Sequence, residues 1–209
     1  MSPLTYVIKM KNISLGFKEH ILLENFNLEV KKGEKIIIST PSGSGKTTLL
    51  KLIMGLKKPI SGEIYINNIL LNENNIDNLR QNIGYLSQKM SFRNLNIFSL
   101  IKEILSYKNN SHIKFNLEKI ENILLFLNLN TDILSKEINS LSGGEKQRIG
   151  FLIALILDKD IWIFDEITSS LDMDLKEKII SYIGDTDKTV IMVTHDKVPS
   201  LNKFKEIRL

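Results

Sequence analysis

No cysteine occurs anywhere in the chain, so neither a disulfide framework nor a thiolate metal site is open to it, and a reducing compartment is allowed. Nothing is apolar for long enough to enter a bilayer. The most continuous run, "FLIALIL" at 151–157, falls far short of the roughly 18–20 residues of a membrane span. The start, "MSPLTYVIKM", does not have the charged-then-apolar layout of a secretory leader. The expectation is a protein soluble by itself, with any membrane attachment going through a partner. There is no tandem repeat, no low-complexity linker and no Pro-rich hinge. Nor is there a basic block or an aromatic-interleaved basic stripe. The net charge of +4, spread over a Lys-, Asn- and Ile-rich composition, therefore singles out neither nucleic acid, anionic lipid nor a phosphate ligand. What is present is ample apolar material: 43% of 209 residues are hydrophobic and 25% charged, which suits one globular domain over 1–209.

The chain opens on β-rich stretches, "TYVIKMKNISLGF" (5–17) and "NLEVKKGEKIIIST" (27–40), the second turning at Lys32-Gly33. "SGEIYINN" (61–68) is a short strand closed by an Asn-Asn turn, and Asp77 is placed to cap a short helix leading into the strand "NIGYLSQ" (82–88). Helical spacing marks "TTLLKLIMGL" (47–56), and from about 90 to 140 helical signals replace strand ones. A helix over 142–157, the strand "IWIFDE" (161–166), the helix "DLKEKIISYI" and the strand "TVIMVTHD" (189–196) come next. Continuous apolar strands alternating with helices predict an α/β fold whose mostly parallel sheet is covered on both faces. The N-terminal antiparallel β region and the helical insert at about 90–140 would fold against that core.

"STPSGSGKTTLL" (39–50) is a phosphate-binding loop in which Thr40 stands where the pattern asks for glycine. An apolar strand precedes it and a helix follows, so an anion would lie at a helix N-terminus. Thr40, Pro41, Ser42, Gly43, Ser44, Gly45, Lys46, Thr47 and Thr48 are the candidate nucleotide contacts, Lys46 reaching the β- and γ-phosphates and Thr47 binding Mg²⁺. Thr40 lies at the loop entrance, where glycine is needed only for positive φ or a crowded backbone. It is read as tightening the entrance without removing a phosphate donor. Downstream, "IWIFDE" places two acids at the C-terminal edge of a buried strand. There Asp165 suits Mg²⁺, and Glu166 suits orienting or deprotonating a water.

"LSGGEKQR" (141–148) is the discriminating stretch: Ser142 opens a helix whose first residues, Gly143 and Gly144, have no side chain, a second anion site. Here the chain resembles the ATP-binding subunit of an ABC transporter, over essentially all its length and with the motifs in the family's order. The resemblance implies a P-loop NTPase with a RecA-like core, and ATP and Mg²⁺ as cofactors. It implies Phe17 stacked on adenine, Gln88 sensing the metal and the membrane partner, Glu145 and Asp172 near the composite site, and Glu166 and His195 as the catalytic pair. One nucleotide does not need two clamps. The family's answer is a head-to-tail homodimer (or a pair with a related ATPase) in which the Ser142 helix of one subunit closes over ATP held by the other. Membrane transporter subunits are implied as partners, nucleic acid is not, and the implied location is peripheral, on the cytoplasmic face of the membrane. Phe92, Leu95, Ile97 and Phe98 are candidate contacts for those subunits. Ile167 replaces the proline that commonly follows the acid pair, and the resulting "DEITSSLD" echoes ATPases of the iron-export type; Ile153 stands where many members carry arginine. The rival class is a non-transport cassette acting on DNA or ribosomes, and the absence of Asn-Lys-x-Asp argues against a GTPase.

If the threonine only tightens the loop entrance, Thr40→Gly should leave nucleotide affinity within a few-fold by titration. A gain of about a hundredfold, nearly 3 kcal/mol, would show that Thr40 obstructs the loop.

Overall fold

The computed structural model describes residues 6–17, 20–39 and 45–209. Two long strands, β1 (Tyr6–Phe17) and β2 (His20–Lys31), pair antiparallel, and the chain then turns at Lys32-Gly33 into β3 (Lys35–Ser39). After α1 (Lys46–Ile53) come β4 (Ser61–Ile66) and β5 (Ile69–Leu70), joined by Asn67 and Asn68, both at positive φ. Asparagine tolerates that region, so the Asn-Asn turn forms where the sequence predicts it. β4 returns to β1, giving an antiparallel sheet of order β2-β1-β4-β5. β2 begins seven residues earlier than the strand expected from 27. Register shifts along β1–β2 and positive φ at Asn12 and Asn25 break the alternation that would have marked it.

α2 (Ile76–Arg80) starts from Asn75; Asp77 lies inside its first turn and favours the helix through its charge rather than as the cap. β6 (Ile83–Leu86) follows. α3 (Ile97–Ser106) and α4 (Leu117–Phe126) are each capped by an asparagine, Asn96 accepting from Ser99 N at 2.8 Å and Asn116 from Lys119 N at 2.9 Å. α5 (Gly143–Leu157), β7 (Ile161–Asp165), α6 (Met173–Asp185), β8 (Thr189–Val193) and β9 (Lys205–Arg208) complete the chain. β9 escapes the sequence reading because it is a four-residue, largely charged edge strand.

The second sheet is parallel throughout, in the order β6-β7-β8-β3-β9. Its strands read as unbroken apolar runs, yet alternate residues enter different cores. Ile161 and Ile163 of β7, Ile191 and Val193 of β8, and Ile36 and Ile38 of β3 pack with α1 and the antiparallel sheet. Trp162 and Phe164, Val190 and Met192, and Ile37 pack with α3, α4, α5 and α6. This two-sided burial is the α/β architecture that the sequence predicts.

Of the expected membrane-facing residues, Ile97 lies within the helical-side core, while Phe92, Leu95 and Phe98 keep partial exposure. Ile97 is fully buried, Phe92 and Leu95 pack against the same cluster, and Phe98 meets Phe115 edge-on at 5.3 Å with the Lys102 ammonium over its ring. Phe164, fully buried between Trp162 (5.5 Å) and Phe151 (6.0 Å), anchors this side. Phe164→Ala should cost about 3–5 kcal/mol of unfolding free energy. An unshifted urea midpoint would contradict that placement.

Candidate functional site

Parallel strands send their C-terminal ends to one edge. Ile38 of β3 and Asp165 of β7 both register with Val193 of β8, and Leu86 of β6 registers with Phe164. The residues that come after them, namely Gly45 at the start of α1, Gln88, Glu166 and His195, therefore share that edge. α1 starts from Gly45 at φ 91°, a left-handed cap with no side-chain hydrogen bond to the first turn and no acid within it. A Cβ there would stand 3.3 Å from Leu22 and 3.4 Å from Leu15, besides being strained. The helix thus starts from a residue with no side chain to turn onto its first-turn amides, the kind of helix end at which anions bind. Lys46 is buried beside it and Thr48 half-buried. Thr40, Pro41, Ser42, Gly43 and Ser44 lie outside the described residues, as does the side chain of Phe17, whose backbone pairs with His20.

The Thr47 hydroxyl donates to Asp165 Oδ2 at 2.8 Å, joining α1 to the end of β7. Asp165 is almost fully buried. One hydroxyl and one carboxylate are hard oxygen donors that suit Mg²⁺. Among the described residues no group of three His, Asp or Glu forms a dedicated metal cage, so the ion would complete its shell with phosphate oxygens and water. Glu166 sits between two expected partners: Gln88 Nε2 donates to its Oε2 at 2.7 Å, and His195 Nε2 stands 3.6 Å from its Oε1. Gln88, expected at the metal, here engages the Glu166 carboxylate.

Glu166 has φ 52°, a left-handed conformation that costs a non-glycine residue about 1–3 kcal/mol. Its surroundings enforce it. Its amide donates to Val193 O at 2.9 Å, and its carbonyl accepts from Gln147 Nε2 at 3.4 Å. Gln147 is buried in α5, donates to Ser169 Oγ at 2.9 Å and accepts from Ser170 N at 3.0 Å. Sequence reasoning passed it over; the signal was a lone amide on a helix otherwise turning apolar, "QRIGFLIALIL".

At the other helix end, Ser142 and Glu145 close a capping box. Ser142 Oγ accepts from Glu145 N at 3.2 Å, and Glu145 Oε2 accepts from both Ser142 N and Ser142 Oγ at 2.8 Å. The backbone amide of Ser142, then its hydroxyl, hold the Glu145 carboxyl below the usual carboxylate range. Glu145 is thus bound to its own helix start. Ser142 and Gly143 are exposed. Gly144 is bare for another reason: a Cβ on it would come within 2.9 Å of the Ser170 carbonyl oxygen, while one on Gly143 meets nothing nearer than 3.9 Å. Asp172 caps α6, accepting from Leu175 N at 2.9 Å.

Residues 23–169 match the family described as ABC transporter. The energy-coupling factor transporter ATP-binding protein EcfA1 of Mycoplasmopsis synoviae is 35% identical over 204 residues, covering 91% of this chain and 74% of its own. The ABC transporter F family member 5 of Arabidopsis thaliana is 35% identical over 191 residues, but this chain spans only 26% of its length. Among solved structures, the ATP-binding cassette MJ0796, a dimer in a post-hydrolysis state bound to ADP and Pi, superimposes with a TM-score of 0.80 at 31% identity, covering 97% of this chain and 94% of that one.

The two glycines of α5 should respond oppositely to alanine. Gly143→Ala should be neutral or raise stability by up to about 1 kcal/mol, whereas Gly144→Ala should lower it by about 1–3 kcal/mol. Equal melting temperatures for the two variants would refute the close approach of Ser170.

Proposed function

Because the chain belongs to the ABC transporter family as one of its ATP-binding cassettes, an ATPase domain that takes ATP with Mg²⁺, we propose that two copies close head to tail over ATP and that hydrolysis drives transport through separate membrane subunits. The observation that carries this reading is the pairing of two glycine-lined helix starts in one chain. One leads from the Gly45 cap to the crowded sheet edge, and the other, at Ser142 and Gly143, is turned to solvent. A solvent-exposed helix start at Ser142 and Gly143 fits a phosphate brought by a second subunit, and twofold symmetry then yields two composite sites.

Lys46 and the partner copy's Ser142 helix offset charge on the transferring phosphoryl group. Mg²⁺ on Thr47 and Asp165 would neutralise phosphate oxygens. Glu166 accepts the proton of the attacking water. Gln88 holds one of its oxygens, and His195, 3.6 Å from the other, would turn to the γ-phosphate. Phe17 and the loop Thr40–Ser44 complete the pocket on the motif match, and Asp172 and Glu145 shape the interface.

Among the described residues no helix is long and apolar enough to cross a membrane. We place the chain as a peripheral subunit on the cytoplasmic face, one domain whose helical insert over about 90–140 carries the docking surface near Gln88. Metal export is the cargo suggested by "DEITSSLD" alone, and Ile167, 3% exposed in the helical-side core, has a sufficient packing reason. A second reading, a non-transport cassette acting on nucleic acid or ribosomes, draws support from the F family likeness. It requires hydrolysis stimulated by nucleic acid rather than co-purification with membrane subunits.

Glu166→Gln should slow turnover at least about a hundredfold while ATP and Mg²⁺ shift the protein to a dimer on size exclusion. A variant that stays monomeric at saturating ATP sinks the clamp.

A further inference from the structure

The His195 side chain is half exposed, with the Glu166 carboxylate 3.6 Å away, so its position depends on the loop that carries it. That loop is held by polar bonds on both sides. Asp196 Oδ1 accepts from Lys176 Nζ at 2.6 Å. Asp196 Oδ2 accepts from the Thr168 hydroxyl and from Thr194 Oγ1 at 3.1 Å, and Asp196 N donates back to Thr194 Oγ1 at 3.0 Å. Four residues on, Ser200 N donates to Glu177 Oε2 at 3.2 Å, and the Ser200 hydroxyl bonds Glu177 Oε1. Val198, between these anchors, is buried. Consecutive residues of α6, Lys176 and Glu177, thus staple the segment 194–200 at two points. The Lys176–Asp196 side chains are only 14% and 10% exposed, so removing either partner leaves an uncompensated charge. Burial disfavours the Asp196 anion, but the Lys176 ammonium and the two threonine hydroxyls outweigh it and hold the carboxyl below its ordinary range. The folded value being depressed, this contribution to stability is present above the unfolded carboxylate range and is lost as pH falls through the folded value.

We propose that Lys176 is a positioning residue for hydrolysis: through its buried pair with Asp196 it ties the His195 loop to the helix capped by Asp172, so that His195 is in place only while α6 is seated. Thr168, two residues beyond Glu166, joins the same carboxylate, so both halves of the catalytic pair hang on one hub. The inference rests on the role given above to His195.

The test uses Lys176→Met, which keeps the apolar stem, Lys176→Arg, which restores the charge, and Asp196→Asn, all in the full chain. Steady-state hydrolysis should show kcat of Lys176→Met reduced about tenfold or more with KM for Mg-ATP within about twofold, Lys176→Arg recovering most of the loss, and Asp196→Asn matching Lys176→Met. Without nucleotide, the NMR signals of the His195 imidazole, assigned by His195→Gln, should shift or broaden in Lys176→Met while those of exposed His112 stay. A lower melting temperature with unchanged kcat, a loss of kcat and KM together, or unmoved His195 signals would overturn the proposal. If Lys176→Met does not fold, Asp196→Asn is read by the same criteria. Full activity in His195→Gln would sink the role of His195 itself, and the imidazole signals would still decide whether Lys176 positions it.

Discussion

A parallel strand buried on both faces has nowhere to put a charge except at its end, and β7 obeys that constraint. Its four apolar residues are divided between two cores, and the first side chain able to ionise, Asp165, comes only where the strand runs out. β3 and β8 keep to the same rule, one ending at the loop into α1 and the other at His195. The chemistry gathers on one edge because the sheet tolerates it nowhere else. The bond from Thr47 to Asp165 then closes the arrangement, fixing the phosphate-loop helix to the end of β7.

At that edge the structure stores strain. Glu166 leaves β7 in a left-handed backbone conformation, which turns its carboxylate toward Gln88 and His195 instead of continuing along the strand. Such a conformation persists only where neighbours over-determine it. Val193 holds the amide, Gln147 holds the carbonyl and the next turn, and Thr168 is bonded to Asp196. A backbone held on every side of a carboxylate that is only 24% exposed limits what must reorganise when charge develops nearby.

Motif and periodicity made the catalytic edge legible before any coordinates: the acid pair, the second helix cap at Ser142, the Asn-Asn turn and the alternation of strand and helix. The parts that stayed hidden have physical reasons. Irregular pairing around Asn12 and Asn25 breaks the period-2 pattern of the first half of β2, and β9 is too short and charged to signal burial. Gly144 was legible as half of an anion site; that a Cβ on it would also come within 2.9 Å of the Ser170 carbonyl oxygen was not. Gln147 and Lys176 belong to helices whose apolar faces dominate their patterns, and a single polar residue inside such a face declares its partner only in three dimensions. Ile97 illustrates the reverse error, since an apolar residue at a helix start reads equally as docking surface and as core.

These hidden residues also change how the site is understood. α5 reaches the turn after Glu166 through Gln147, and α6 reaches the His195 loop through Lys176. The N-termini of those same helices, Ser142 and Asp172, are the ends assigned to the facing subunit. If two copies close as proposed, a displacement of either helix would be felt at Glu166 and His195 through the part-buried hydrogen bonds between them. The two composite sites of a head-to-tail pair would then be coupled through rigid elements only a few turns long, each copy's grip on its neighbour's nucleotide setting the geometry of its own carboxylate and imidazole. Coupling of this kind needs no long-range pathway, only two helices, each tied by one end to an interface and by its next turn to the chemistry.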